Sequence, residues 1–165
     1  MQGILNSPLT ARGLEDAAKQ RRFLASCDLS GFSFYSSPQG RAIQTAGIAL
    51  AGLADMIHTD PRLREISVGD WAGLLRDELP MDDVEDPFMA QYEAAPGGEG
   101  VAGVEARVRP FLAELTGPSV LVTHGITSRV IRSLLVGGDA LGVSTIHGGQ
   151  GVVYHLKAGV QKLLE

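Results

Sequence analysis

Residues 117–125 read Gly-Pro-Ser-Val-Leu-Val-Thr-His-Gly. The apolar run Val120-Leu121-Val122 is short and lies between glycine-containing breaks, a pattern that predicts a strand buried on both faces. A helix is predicted to follow over 126–135, and Gly137-Gly138 provides its glycine ending. A buried strand that leads directly into a helix is typical of a parallel sheet covered by helices.

Strands alternate with helices along the rest of the chain as well. The predicted elements are a helix capped by Thr10, a strand over Phe32–Ser36, a helix started by Ser37-Pro38, a helix beginning near Glu99, and a closing strand over Gly151–Leu156. This alternation predicts an α/β fold, a three-layer α/β/α sandwich with a mostly parallel sheet. In such sheets ligands bind beyond the carboxyl ends of the strands.

The composition excludes several classes of protein. A length of 165 residues suits a single domain over residues 1–165. The net charge is −5 and Lys and Arg are scattered, so neither nucleic acid nor a membrane surface is a predicted partner. Cys27 is the only cysteine, and the histidines have no ligand-like spacing, which argues against a disulfide and a metal site. With no membrane-spanning stretch and no signal-peptide pattern, the sequence predicts a soluble, cytoplasmic protein.

Three side chains are candidates for chemistry. Arg41 lies in the first turns of its predicted helix, where a positive charge opposes the helix dipole unless an anion is bound. His124 follows the buried strand and precedes Gly125, so it is placed to hydrogen-bond a phosphoryl oxygen. Glu65 lies in a partly apolar segment and is a candidate proton donor. The residues alone also allow a solvated arginine, a core histidine and a surface ion pair at these positions.

Five groups of short motifs occur in a set order along the chain. They are Ser7-Pro8-Leu9-Thr10 with Gly13; Tyr35-Ser36-Ser37-Pro38 with Arg41-Ala42 and Gln44-Thr45-Ala46; Leu63-Arg64-Glu65 with Gly69-Asp70-Trp71 and Gly73; Pro96-Gly97-Gly98-Glu99; and Thr123-His124-Gly125. Each is weak alone. In their order and separations they resemble the phosphoglycerate mutase-like histidine phosphatase superfamily over nearly the whole chain.

The resemblance implies a chemistry in which a histidine attacks phosphorus and forms a phosphohistidine, from which water or an acceptor hydroxyl takes the phosphoryl group. It implies that Arg41 clamps phosphoryl oxygens, that His124 hydrogen-bonds the transferring group, and that Glu65 protonates the leaving oxygen and then activates the incoming nucleophile. Backbone groups are implied to line the substrate pocket and the anion site. These substrate-binding positions are Gln2, Gly3, Gly125 and Ile126.

The sequence departs from the superfamily pattern in one respect. Such proteins begin with an apolar strand ending in Arg-His-Gly-Glu that carries the nucleophile, and no such segment precedes Gln2-Gly3 here. The strand is expected in mid-sheet, between the Phe32 and Val120 strands, where its loss would leave backbone groups unpaired. Either upstream residues are omitted from this sequence, or a truncated relative closes its sheet differently, for instance as a homodimer, or His124 is the nucleophile. The cost of removing a central strand favours the first interpretation.

The resemblance favours a phosphomonoester phosphatase that acts on a small phosphorylated metabolite without a metal or other cofactor. Residues 75–95 leave room for only a small cap insertion, whereas a phosphoglycerate mutase needs a better covered site to retain its intermediate. The mutase is one alternative, and a catalytically inactive domain that binds phosphate esters is another. The cap carries no diagnostic motif, so the sequence does not predict the physiological ester.

Overall fold

A computed structural model of the chain describes residues 1–80, 87–137, 146 and 148–164. Within them, helices and strands alternate in the predicted manner. The helices are α1 (Ala11–Leu24), α2 (Gly40–Ala49), α3 (Pro87–Glu93), α4 (Gly100–Glu114) and α5 (Gly125–Leu135), and the strands are β1 (Ser33–Ser36), β2 (His58–Thr59), β3 (Ser119–Val122), β4 (Val153–Lys157) and β5 (Val160–Leu164).

The central sheet is parallel and has the order β2-β1-β3. Side chains of its strands alternate between two faces. Phe34 and Val120 pack with Leu24 of α1 and with Ala46 of α2. Helices α4 and α5 cover the opposite face, where Leu121 packs against a second apolar cluster. The sheet therefore lies between two helical layers, which confirms the predicted three-layer α/β/α sandwich.

The prediction that an additional strand belongs between β1 and β3 is wrong. Strands β1 and β3 pair directly, with Ser33 opposite Ser119 and Ser36 opposite Val122, so no strand lies between them. Strand β3 is instead the edge of the described sheet, and its side chains are half-buried rather than buried on both faces. An apolar run indicates that a strand is covered by helices, but it carries no information about which strand forms its neighbour.

Two helix starts differ in how well the sequence predicted them. The cap of α1 is confirmed, because the Thr10 hydroxyl accepts a hydrogen bond from the Gly13 N–H at 3.1 Å. The predicted start of α2 at Ser37-Pro38 is wrong, since Gln39 is the residue that precedes the helix. The Ser37 hydroxyl accepts the Gln39 N–H at 3.3 Å and also contacts a histidine described below.

The chain ends in an antiparallel hairpin rather than a single strand. The predicted strand over 151–156 corresponds to β4, and β5 follows it after a tight turn. Ala158 and Gly159 have φ values of 51° and 77°, which suit a two-residue hairpin turn. Arg132 of α5, which is 2% exposed, stacks on the Tyr154 ring at 3.8 Å and thereby fixes the hairpin against that helix.

The predicted cap over residues 75–95 is described in part, because residues 81–86 lie outside the described ranges. Its described part contains a single 3-10 turn over Arg76–Glu78 and helix α3. Arg76 Nη2 donates to the Tyr92 hydroxyl at 3.0 Å, which joins the 3-10 turn to α3.

Among the helices in the described ranges, none has the length and apolar character that crossing a bilayer requires.

We expect Gly69→Ala to destabilise the fold by about 3 kcal/mol, because a left-handed backbone and overpacking add at this position. Gly69 has a φ of 46°, and a Cβ there would lie 2.0 Å from the Pro96 carbonyl oxygen. Gly31→Ala is the matched control, since Gly31 has a φ of 76° and nothing within 4 Å of the added carbon. Its expected cost is about 1 kcal/mol. If urea denaturation showed that both variants lose the same free energy of unfolding, close packing at Gly69 would be unimportant.

Candidate active site

Arg41 and His124 meet at the carboxyl end of the central sheet. His124 follows β3 and precedes α5, and Arg41 lies in the first turn of α2, the helix that follows β1. Arg41 Nε donates a hydrogen bond to His124 Nδ1 at 3.2 Å. The structure thus brings together two of the three side chains that the sequence singled out for chemistry.

His124 is a neutral imidazole with a defined tautomer. Because Nδ1 accepts the Arg41 N–H, the ring proton lies on Nε2, which donates to the Ser37 hydroxyl at 2.8 Å. Burial, followed by the nearby charges of Arg41 and Arg107, lowers the pKa of His124 from 6.5 to about 3. Both ring nitrogens therefore have protein partners, and the predicted hydrogen bond from His124 to a phosphoryl group stays a prediction.

Arg41 is held by the backbone that precedes α1. Its Nη1 donates to the Leu5 carbonyl at 2.6 Å, and its Nη2 donates to the Gly3 carbonyl at 3.0 Å. One N–H on each terminal nitrogen is left over for an anion. Burial lowers the pKa of Arg41, and the negative charge of Glu65 acts in the opposite direction.

Glu65 binds the N-terminus of α5. Its Oε1 accepts N–H bonds from Ile66 at 3.0 Å and from Thr127 at 3.2 Å, with the Thr127 hydroxyl at 3.4 Å. Among the described residues, the Ile126 N–H alone donates to its Oε2, at 3.3 Å. A carboxyl oxygen with a single partner retains a lone pair, so Oε2 is the atom that can hold a proton for transfer.

The predicted backbone positions differ in what they contact. The Gly3 carbonyl is buried and bound by Arg41, and the φ of 50° at Gly3 explains why glycine stands there. Gln2 is exposed, and its carbonyl accepts the Leu5 N–H. Gly125 is exposed, and a Cβ at that position would lie 3.6 Å from Glu65 Oε2. The Ile126 N–H, predicted to face an anion, is bound by Glu65 instead.

The sequence did not reveal the role of Gln39. This buried side chain donates from Nε2 to the Gly3 carbonyl at 3.1 Å and accepts the Glu65 N–H on Oε1 at 2.6 Å. It therefore connects the segment bound by Arg41 with the segment that carries Glu65. Its position between Ser37-Pro38 and Arg41 was the available signal, because a polar side chain beside two candidate site residues is placed to support them.

No cluster of three or more His, Cys, Asp or Glu side chains that could hold a metal ion occurs within the ranges that the structure describes. The groups that converge are one guanidinium, one neutral imidazole and one carboxylate. A guanidinium binds phosphoryl oxygens, and a carboxyl group donates or removes a proton. The arrangement is therefore suited to a phosphate ester whose bridging oxygen lies near Glu65 Oε2.

Comparison with protein families agrees with this chemistry. The model of the histidine phosphatase superfamily (branch 1) matches residues 1–162. The chain belongs to the histidine phosphatase superfamily. Curated proteins that match it include phosphatases and a phosphoglycerate mutase.

Two curated relatives in this superfamily share about a third of their aligned residues with the chain. Phosphoserine phosphatase 1 of Hydrogenobacter thermophilus is 34% identical in an alignment of 151 positions that covers 84% of this chain and 69% of the relative. Glucosyl-3-phosphoglycerate phosphatase of Mycobacterium tuberculosis is 32% identical in an alignment of 141 positions that covers 76% of this chain and 62% of the relative. The chain thus matches less than two thirds of the second relative's length.

A solved member of the superfamily has the same fold. The α-ribazole phosphatase of Shigella flexneri superimposes with a TM-score of 0.80 and 26% sequence identity, over 99% of this chain and 86% of that protein. The similarity therefore extends over all the layers described above.

We expect the low pKa of His124 to make folding depend on pH. Below pH 6.5 an unfolded chain binds a proton at this histidine, whereas the folded chain does so only near pH 3. The free energy of unfolding should therefore decrease as the pH falls from 6.5, with a limiting slope of about 1.4 kcal/mol per pH unit. Urea denaturation at pH 7 and pH 5 measures this slope.

His124→Gln should lose that part of the slope. His155→Gln, at an exposed position of β4, controls for the removal of a histidine. If His124→Gln kept the full pH dependence of the wild type, a neutral buried imidazole at this position would be ruled out.

Proposed function

We propose that this chain hydrolyses small phosphate monoesters through a phosphohistidine intermediate. The observation that carries the proposal is the convergence of Arg41, His124 and Glu65 at the carboxyl end of the sheet, joined through Gln39 and Gly3. Arg41 binds two phosphoryl oxygens in this scheme, and His124 donates its Nε2 proton to the same group in place of the Ser37 hydroxyl. No metal takes part in the scheme.

Glu65 has two successive tasks in the proposed reaction. As a histidine nitrogen bonds to phosphorus and the P–O bond to the leaving group breaks, Glu65 Oε2 gives its proton to the leaving oxygen. Water then attacks phosphorus and passes a proton back to Oε2 while the P–N bond breaks, so orthophosphate leaves and the histidine nitrogen regains its lone pair. The hydrogen bonds to Oε1 keep the carboxyl group oriented through both steps.

The nucleophile is a further element of the proposal. Among the histidines in the described ranges, only His124 contacts Arg41. Its Nδ1 lone pair is taken by that contact and its Nε2 carries the proton, so neither nitrogen offers a lone pair for attack. We assign the attack to a histidine in an Arg-His-Gly segment at the end of an additional strand, which would pair with the open edge of β3 and end beside His124.

Hydrolysis is favoured over mutase chemistry by the relatives and by the short cap. Both curated relatives described above are named as phosphatases. A small cap leaves water access to the intermediate, whereas a mutase must exclude water until the acceptor has reoriented. A second candidate function, binding of phosphate esters without turnover, is supported by the engagement of both His124 nitrogens.

One assay separates these functions. We expect the 165-residue chain to bind vanadate but not to hydrolyse p-nitrophenyl phosphate, and a version preceded by an apolar strand ending in Arg-His-Gly to do both. Trapping of an acid-labile phosphohistidine in the longer version checks the intermediate. Vanadate binding without turnover in both versions would favour the binding function, and turnover by the 165 residues alone would contradict the assignment of the nucleophile.

Arg41→Ala should weaken vanadate and phosphate binding by at least about tenfold, because a hydrogen bond to a charged group contributes roughly 1.5–3 kcal/mol. Isothermal titration of either version with orthophosphate measures the loss. Arg109→Ala is the matched control, since Arg109 is an exposed arginine of α4 that pairs with Glu105. Unchanged affinity in Arg41→Ala would remove Arg41 from the anion site.

Glu65→Gln should slow esters with poor leaving groups by about a hundredfold and activated aryl esters much less, because only poor leaving groups need a proton. The ratio of kcat/KM for an alkyl phosphate and for p-nitrophenyl phosphate measures the effect. Glu15→Gln, which changes an exposed glutamate of α1, serves as the control. An equal loss with both esters would argue against proton donation by Glu65.

A further inference from the structure

Within the ranges that the structure describes, side chains hold the segment that carries Glu65, and no strand pairs with it. After the 3-10 turn that ends at Leu63, the Leu63 carbonyl accepts the Thr123 hydroxyl at 2.7 Å. The Arg64 carbonyl accepts the Thr127 hydroxyl at 2.6 Å. Together with the bond from Glu65 N–H to Gln39, these contacts fix three consecutive residues of the segment.

Arg107 of α4 extends this support to both ends of the segment. Its Nη1 donates to the Arg62 carbonyl, three residues before Glu65. Its Nε and Nη2 form a two-point ion pair with Glu99, each at 3.0 Å. Glu99 in turn accepts the Ser67 N–H at 2.9 Å and donates its own N–H to the Ser67 carbonyl at 3.1 Å. A single guanidinium thus restrains the backbone on both sides of the carboxylate.

The same guanidinium reaches the helix end that receives the carboxylate. Arg107 Nη2 lies 3.4 Å from the Thr127 hydroxyl, and the Thr127 N–H donates to Glu65 Oε1. Within the described part of the chain, each hydrogen bond of the Arg107 guanidinium therefore goes to the Glu65 segment, to Glu99, which binds that segment, or to Thr127, which binds Glu65. A lysine, with a single ammonium group, could not make these contacts in a fixed plane.

Stability alone does not account for this arrangement. The Arg107 and Glu99 side chains are only 12% and 17% exposed. An ion pair this deeply buried often gives no more net stability than apolar side chains of the same volume, because both charges lose their hydration. What the pair does provide is a fixed geometry for the residues it contacts.

We propose that Arg107, acting through Glu99 and Thr127, is a positioning residue that holds Glu65 Oε2 in place for proton transfer. The proposal rests on the function proposed above. It requires that loss of Arg107 impair the step that needs a proton and leave phosphate binding by Arg41 largely intact.

The kinetic test uses the version of the chain that turns over phosphate esters. In Arg107→Met we expect kcat for an alkyl phosphate to fall by about tenfold or more, which corresponds to a small displacement of a catalytic group. The kcat for p-nitrophenyl phosphate should fall by less than about threefold, and the affinity for vanadate by less than about twofold. Glu99→Gln, which removes one charge of the pair and keeps its shape, should show the same selectivity to a lesser degree, and Arg107→Lys should recover only part of the loss.

A double variant decides whether Arg107 acts through Glu65. If it does, Glu65→Gln with Arg107→Met should be no slower on the alkyl ester than Glu65→Gln alone. The positioning role would be overturned if the fold-loss in kcat of the double variant equalled the product of the two single losses. It would also be overturned if Arg107→Met lowered kcat equally for both esters. If Glu65→Gln itself showed no dependence on the leaving group, the proposed function would fail instead, so the two failures are distinguishable.

A measurement independent of turnover applies to the 165-residue chain. The amide protons of Ile66 and Thr127 donate to Glu65 Oε1, so their hydrogen exchange reports the position of the carboxylate. We expect exchange at both to rise by about tenfold or more in Arg107→Met, while amides in the core of α2 such as that of Ala46 stay unchanged. A uniform rise in exchange rate across the chain, or an unchanged exchange rate at Ile66 and Thr127, would count against the proposal. Glu99→Gln provides the same readout if Arg107→Met does not fold.

Discussion

The hydrogen bond between Arg41 and His124 is the contact on which the candidate site depends. It joins α2 to the end of β3, and it forms because β1 and β3 are adjacent and parallel. The residues that follow two adjacent parallel strands lie at the same edge of a sheet. An intervening strand would move the two side chains apart by about 5 Å, beyond hydrogen-bond distance. Direct pairing of these strands is therefore a requirement of the site.

Burial then determines the charges at this edge. His124 lies near Arg41 and Arg107 and is neutral, so the guanidinium groups carry the positive charge of the site. Glu65 binds the start of α5 and balances part of that charge. A phosphate ester would enter a site whose cation is held by carbonyl groups and whose carboxyl group is held by N–H groups. Because both are restrained beforehand, little ordering is needed when the ester binds.

The sequence predicted the layers of the fold, because periodicity and strand-to-helix junctions are local features. It also singled out Arg41, His124 and Glu65, whose roles stay predictions. It did not predict that β1 and β3 pair, since strand neighbours depend on contacts between distant segments. The supporting residues were missed for the same reason. Gln39 and Arg107 act on backbone groups far away in sequence, and an isolated glutamine or arginine carries no signal of such a contact.

The open edge of β3 has a consequence for the site next to it. In the parallel register the carbonyls of Pro118 and Val122 point to β1, so the backbone groups of Leu121 and Thr123 point the other way, where no described strand pairs with them. Unpaired backbone groups beside apolar side chains are costly unless water or another strand binds them. A parallel strand added at this edge would satisfy these groups. The residue that follows such a strand would lie beside His124, which Arg41 contacts.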